Sequence, residues 1–126
     1  MERYDPEVAS DSREWLALEE SERLVLVEDY HRDARISMPR RARLLHAAIH
    51  TIVENQLVLE DQTIVRATLQ RLMEAGLTRH EAIHAVGSVL TEHIYDLLHM
   101  KSLPAGGHAP YYAALQQLTV EKWRGG

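Results

Sequence analysis

Between residues 40 and 99, apolar side chains recur every three or four positions, and only Glu60-Asp61-Gln62 and the neighbourhood of Gly76 interrupt them. Nowhere do apolar and polar residues alternate over the length of a strand. This is the period of helices that bury one side, and it leaves no material for a sheet. The fold class that follows is all-α: a compact up-down bundle of four to five helices with short connections. With 126 residues, of which 45% are hydrophobic, the chain has the size of one domain, so residues 1–126 are expected to form a single helical domain. Aromatic residues make up only 6% and Phe is absent, so Leu, Ile, Val and Ala must build the core.

Punctuation places the helices. Residues 1–10 carry Pro6 and several charges and read as an irregular lead-in. Asp11-Ser12-Arg13-Glu14 has the spacing of a capping box. The helix after it runs to about Arg32, in one piece or in two broken near Leu18. Trp15, Leu18, Leu24, Val25, Leu26 and Val27 form its apolar side, and Glu19, Glu20, Glu22, Glu28 and Asp29 its acidic exterior. A connection over residues 32–43 holds Arg32, Arg35, Arg40, Arg41 and Arg43, with Pro39 suited to a first helical turn. Those arginines read first as salt-bridge partners of the acidic helix and second as contacts to an anion or RNA phosphate.

The next helix spans about Arg40 to Leu59, with Leu45, Ala48, Ile49, Ile52, Val53 and Gln56 inward. A third runs to Ala75, burying Ile64, Val65, Leu69, Leu72 and Met73, and Gly76 is its expected left-handed terminator. Thr78-Arg79-His80-Glu81 is a second capping box, and it opens a helix to about His99 with Ile83, Val86, Leu90, Ile94 and Leu97 inward. Residues 101–110 form a loop, and Pro110 leads into a last helix carrying Tyr111, Tyr112, Leu115, Leu118, Val120 and Trp123.

One pattern on this framework bears on chemistry. His46-Ala47-Ala48-Ile49-His50 is followed, 34 residues later, by His80-Glu81-Ala82-Ile83-His84. Histidines four apart share a helix face one turn apart, so each copy offers two imidazoles in one direction. Two such helices can bring four nitrogens to one transition-metal ion, within one subunit or across a dimer axis. His46 and His50 lie beside the apolar stripe of their helix, and Glu54 continues their row at a slightly more exposed angle. Glu54 and Glu81 are the reserve ligands. Neutral imidazole suits Zn, Fe, Ni or Cu, so the donor set does not choose among them. The chain has eight histidines but no cysteine, which excludes disulfides, thiolate zinc sites and a Cys nucleophile.

Other chemistry has less behind it. Glu81-Ala82-Ile83-His84 and Glu28-Asp29-Tyr30-His31 have the Glu-x-x-His spacing of di-iron bundles, but that site also needs bridging glutamates in the core, and only Glu54 and Glu92 are placed to help. His80-Glu81-Ala82-Ile83-His84 also spells the zinc-peptidase string. Against it, Glu81 is occupied at the third position of a capping box, Ala47 stands at its place in the other copy, and no strand exists to align a peptide. Gly-x-Ser-x-Gly and Gly-rich phosphate loops are absent. His93 reads as a core histidine and spare ligand, and His99 and His108 as surface or loop residues. A metal-free interaction module, with the histidines as interhelical hydrogen-bonding residues, is the second reading.

A formal charge of −5 argues against general nucleic-acid binding. With no apolar run near 18 residues and no signal-peptide pattern, the expected location is the cytoplasm, and a homo-oligomer is compatible with the motif arrangement. His46-x-x-x-His50-x-x-x-Glu54-Asn55-Gln56, with His80-Glu81-Ala82-Ile83-His84 and Leu90-x-Glu92, resembles small bacterial proteins grouped as a domain of unknown function. The resemblance covers about residues 44–98. It implies a compact helical protein in which these polar positions matter, and it implies no activity, substrate or cofactor.

Overall fold

Seven helices account for the regular structure of the described residues in the computed structural model, and none of those residues lies in a strand. The description covers residues 1–33, 39–99 and 107–125, with the backbone alone at Arg40. The expected connection around Arg35, the Arg40 side chain and most of the 101–110 loop, including Pro104, Ala105 and Gly106, lie outside it. The chain falls into two compact units, Met1–Gln62 and Thr63–Gly126.

The first unit holds α1 (Ser12–Ala17), α2 (Glu20–Asp33) and α3 (Arg40–Val58), with α3 packed against both others. Asp11 caps α1 by accepting the Glu14 N–H at 3.0 Å. Leu18 then turns extended, and this separates α1 from α2. Two side chains stabilise the break. Arg23 donates to the Leu16 and Leu18 carbonyls at the end of α1, and the Glu22 carboxylate accepts the Glu19 N–H at the start of α2. Asn55 of α3 ties the three helices together. Its side-chain oxygen accepts from the Trp15 indole at 2.8 Å and from Arg23 at 3.2 Å, and its amide donates to Glu20. The core beneath consists of Tyr4, Trp15, Val27 and Ala47.

The second unit holds α4 (Thr63–Glu74), α5 (Arg79–Leu98), α6 (Ala109–Gln117) and α7 (Val120–Gly125). Helices α4, α5 and α6 pack pairwise around Leu72, Ile83, Val86, Tyr111 and Leu115. Gly76 sits at φ +113°. There the Leu77 N–H reaches the Leu72 carbonyl and the Gly76 N–H the Met73 carbonyl, which is a Schellman closure with Leu72 and Leu77 both buried. Space around Gly76 is open, so an added methyl group meets no atom and the cost of a side chain is conformational. Gly76→Ala is therefore expected to lose about 1–2 kcal/mol of stability, read as a lowered urea midpoint at unchanged slope. An unchanged midpoint would mean that the turn relaxes out of the left-handed region.

Seven helices stand in place of the expected four to five: the first long segment takes its two-piece alternative, broken at Leu18, and the last segment divides as well. Beyond the break at Leu18, extended Leu118 separates α6 from α7. Arg71 closes the end of α6 by donating to the Leu115 and Leu118 carbonyls, and the Thr119 hydroxyl caps α7 by accepting the Lys122 N–H.

The buried face of α3 also differs from the expected stripe. Leu45 is 60% exposed, while Ala47, His50, Thr51, Val53 and Glu54 are buried. Val25 of α2 and Met73 of α4, both expected inward, are exposed.

Candidate metal centre

In the first unit the buried face of α3 carries a polar column. His46, His50 and Glu54 follow one another at single-turn intervals, as the spacing requires. The column is not at the edge of the core. His50 and Glu54 are buried outright and His46 is half-buried, so the expectation of a more exposed Glu54 is corrected. The reason is chemical rather than periodic, because two residues from outside α3 satisfy these groups. Tyr4, in the irregular lead-in, places its hydroxyl 2.6 Å from His50 Nε2 and donates it to Glu54. Its ring packs edge-on to the His50 imidazole, with centroids 5.3 Å apart.

The second contributor is His31, in the last turn of α2 and buried. Its Nδ1 lies 2.8 Å from the Val27 carbonyl. A carbonyl only accepts, so the proton is on Nδ1 and the neutral ring keeps its lone pair on Nε2. That nitrogen is 3.0 Å from His46 Nε2. At that distance His46 Nε2–H donates to the His31 lone pair. The His31 and His50 rings have centroids 5.1 Å apart, and those of His46 and His50 are 6.0 Å apart. Burial holds His31 below its ordinary pKa, partly offset by the Val27 carbonyl, and so favours the neutral form that a metal needs. His31 and His50 belong to a group of histidines that could hold a metal ion, and His46 lies outside that group, at hydrogen-bond distance from His31.

In the second unit the other motif opens α5. The His80 and His84 rings, both half-buried, stand with centroids 4.2 Å apart on one face of the first two turns. The capping box is complete: Glu81 N–H donates to the Thr78 hydroxyl at 3.1 Å, and Thr78 N–H donates to the Glu81 carboxylate at 3.0 Å. That backbone bond from Thr78 is the first cause holding the Glu81 carboxyl below its ordinary value. The reserve ligand Glu81 is thus engaged at the helix start. Among the described residues Glu54 is the buried glutamate, and Glu92 is exposed, which leaves a di-iron site short of core carboxylates.

The remaining histidines sit apart from the motifs. Buried His93 stacks on Tyr111 and lies 3.0 Å from exposed His108, while exposed His99 stacks on Tyr95. The arginine-rich connection shows one close ion pair among its described members, Arg32 with Asp29 at 2.8 Å, within α2 itself.

Sequence reasoning missed Tyr4 as a site residue and did not place His31 in the cluster. For His31 a signal existed, since it follows buried Val27 by one turn on a helix whose apolar side was already assigned. Tyr4 lies in a segment without periodicity and gave none. Protein-family models, curated proteins and solved structures offer no match to this chain.

Proposed function

We propose that this protein binds a first-row transition-metal ion through the imidazoles of its two His-x-x-x-His motifs, His46, His50, His80 and His84, with His31 as a further donor. The observation that carries the reading is that His31 and His50, both buried, belong to a group of histidines whose ring nitrogens are close enough to share a metal ion. Zn, Fe and Ni all suit such a donor set. Of the two reserve carboxylates, Glu81 is engaged in its capping box and Glu54 is buried in the column of His46 and His50, where it accepts from Tyr4. A second reading has its own support. The contacts among Tyr4, His31, His46, His50 and Glu54 give these side chains hydrogen bonds without an ion, as helix-joining architecture would.

Elemental analysis of untagged protein separates the two. Metal near one ion per chain is expected in the wild type, lost in both His50→Ala and His84→Ala. Wild-type protein that cannot be loaded with Zn, Fe(II) or Ni, and whose melting is indifferent to chelator, establishes the architectural reading instead. Loss in His84→Ala alone would show that the two motifs do not share an ion.

A further inference from the structure

We infer that Tyr4 is a positioning residue that dictates which nitrogen of His50 meets the metal, Nδ1, and that Glu54 acts through Tyr4 rather than as a ligand. This rests on the metal-binding reading above. The argument follows from counting protons. A phenol carries one, and here it is donated to the buried Glu54 carboxylate. His50 Nε2 is 2.6 Å from the same phenol oxygen. Two lone pairs do not face each other at that distance, so Nε2 carries a proton and donates it to Tyr4. The neutral imidazole then has its lone pair on Nδ1.

An ion approaching Nε2 would have to displace Tyr4, breaking its bonds to two buried groups at once. Coordination at Nδ1 keeps both bonds. It also polarises the Nε2–H and strengthens its donation into the Tyr4–Glu54 chain, the usual outer-shell device of a metal-bound imidazole with a phenol set between ring and carboxylate. His31 shows the complementary arrangement, with Nδ1–H held by the Val27 carbonyl and Nε2 as the donor atom. The two histidines are thus locked in opposite tautomers by groups from outside the His-x-x-x-His motif. The tyrosine ring is itself held by Trp15 and Tyr30, at 5.8 and 6.0 Å between centroids. Removing only its hydroxyl should therefore leave the packing in place.

Long-range ¹⁵N spectra of the metal-free protein, repeated with zinc or ¹¹³Cd, test the assignment. His50 is expected as the Nε2–H tautomer without metal and coordinated through Nδ1 with it. Tyr4→Phe is expected to weaken zinc binding about 10–100-fold in chelator competition, with the stoichiometry kept. Glu54→Gln, whose amide oxygen can still accept from Tyr4, should also keep the stoichiometry, whereas substitution of a true ligand should lower it. Bound zinc with His50 protonated on Nδ1, or unchanged affinity in Tyr4→Phe, overturns the assignment alone. Wild-type protein that takes up no zinc overturns the metal reading and this assignment with it.

Discussion

Trp15→Ala is expected to lower stability by about 3–5 kcal/mol, a large share of the ~5–15 kcal/mol that holds a domain folded. Its side chain has no exposure to solvent and fills the centre of the first unit with Tyr4, Val27 and Ala47. Truncation removes that buried area and leaves a cavity whose lining cannot fully collapse, because α3 is fixed on both neighbouring helices. It also takes away the indole N–H that Asn55 accepts at 2.8 Å. The Arg23–Asn55 and Asn55–Glu20 bonds survive the substitution, so the polar loss is partial and cavity formation dominates. Trp15→Phe separates the two contributions, keeping most of the volume but no N–H, and should cost less than half as much. Urea titrations of both variants provide the check. A cost below ~1 kcal/mol for Trp15→Ala would mean that the ring is not part of a packed core. The variant should also disturb His50, because Trp15 supports the Tyr4 ring.

Trp15 also shows which features of the fold are legible in the sequence. The helical period puts it on the apolar side of its helix, and it is buried there. The ends of α3, α4 and α5, the left-handed Gly76 and the Thr78–Glu81 capping box were legible for the same reason: local hydrogen bonding and helical period decide them, and both are written in adjacent residues. The breaks at Leu18 and Leu118 are closed by Arg23 and Arg71, and Arg71 comes from a helix more than forty positions away. The break near Leu18 is an alternative that the local sequence offers, whereas the long-range capping at Leu118 leaves no local trace. The rotation of α3 has a related cause. The stripe read from its period is turned so that His50 and Glu54, which have a partner in Tyr4, are buried while Leu45 is exposed. Of the candidate site, the motif histidines were legible as pairs, while the groups that orient His50, Tyr4 and Glu54, depend on a contact between residues about fifty positions apart.

Metal loading should stabilise the fold by about 4 kcal/mol when free ion is a thousandfold above its dissociation constant, because the folded chain offers preformed imidazoles that the unfolded chain does not. Thermal melts with zinc and with excess chelator measure the difference, and His50→Ala should abolish it. The effect depends on pH with a definite sign. Ligation needs neutral imidazole, so protons compete as pH falls. His31, held by burial below its ordinary value of 6.5, resists that competition better than an exposed histidine. The metal-free protein shows the reverse side of the same shift. Its unfolded chain takes up a proton at His31 near pH 6.5 while the folded chain does not. Stability is therefore complete above that pH and falls below it, until the pH passes the lowered folded value and the loss stops growing. Buried His93, lowered by desolvation and then by His108, adds to the slope with the same sign. His31→Gln should flatten the acid slope of the metal-free protein in part and weaken zinc binding. If instead chelator and zinc give the same melting curve at pH 8, where protons compete little for imidazole nitrogen, the cluster does not hold zinc.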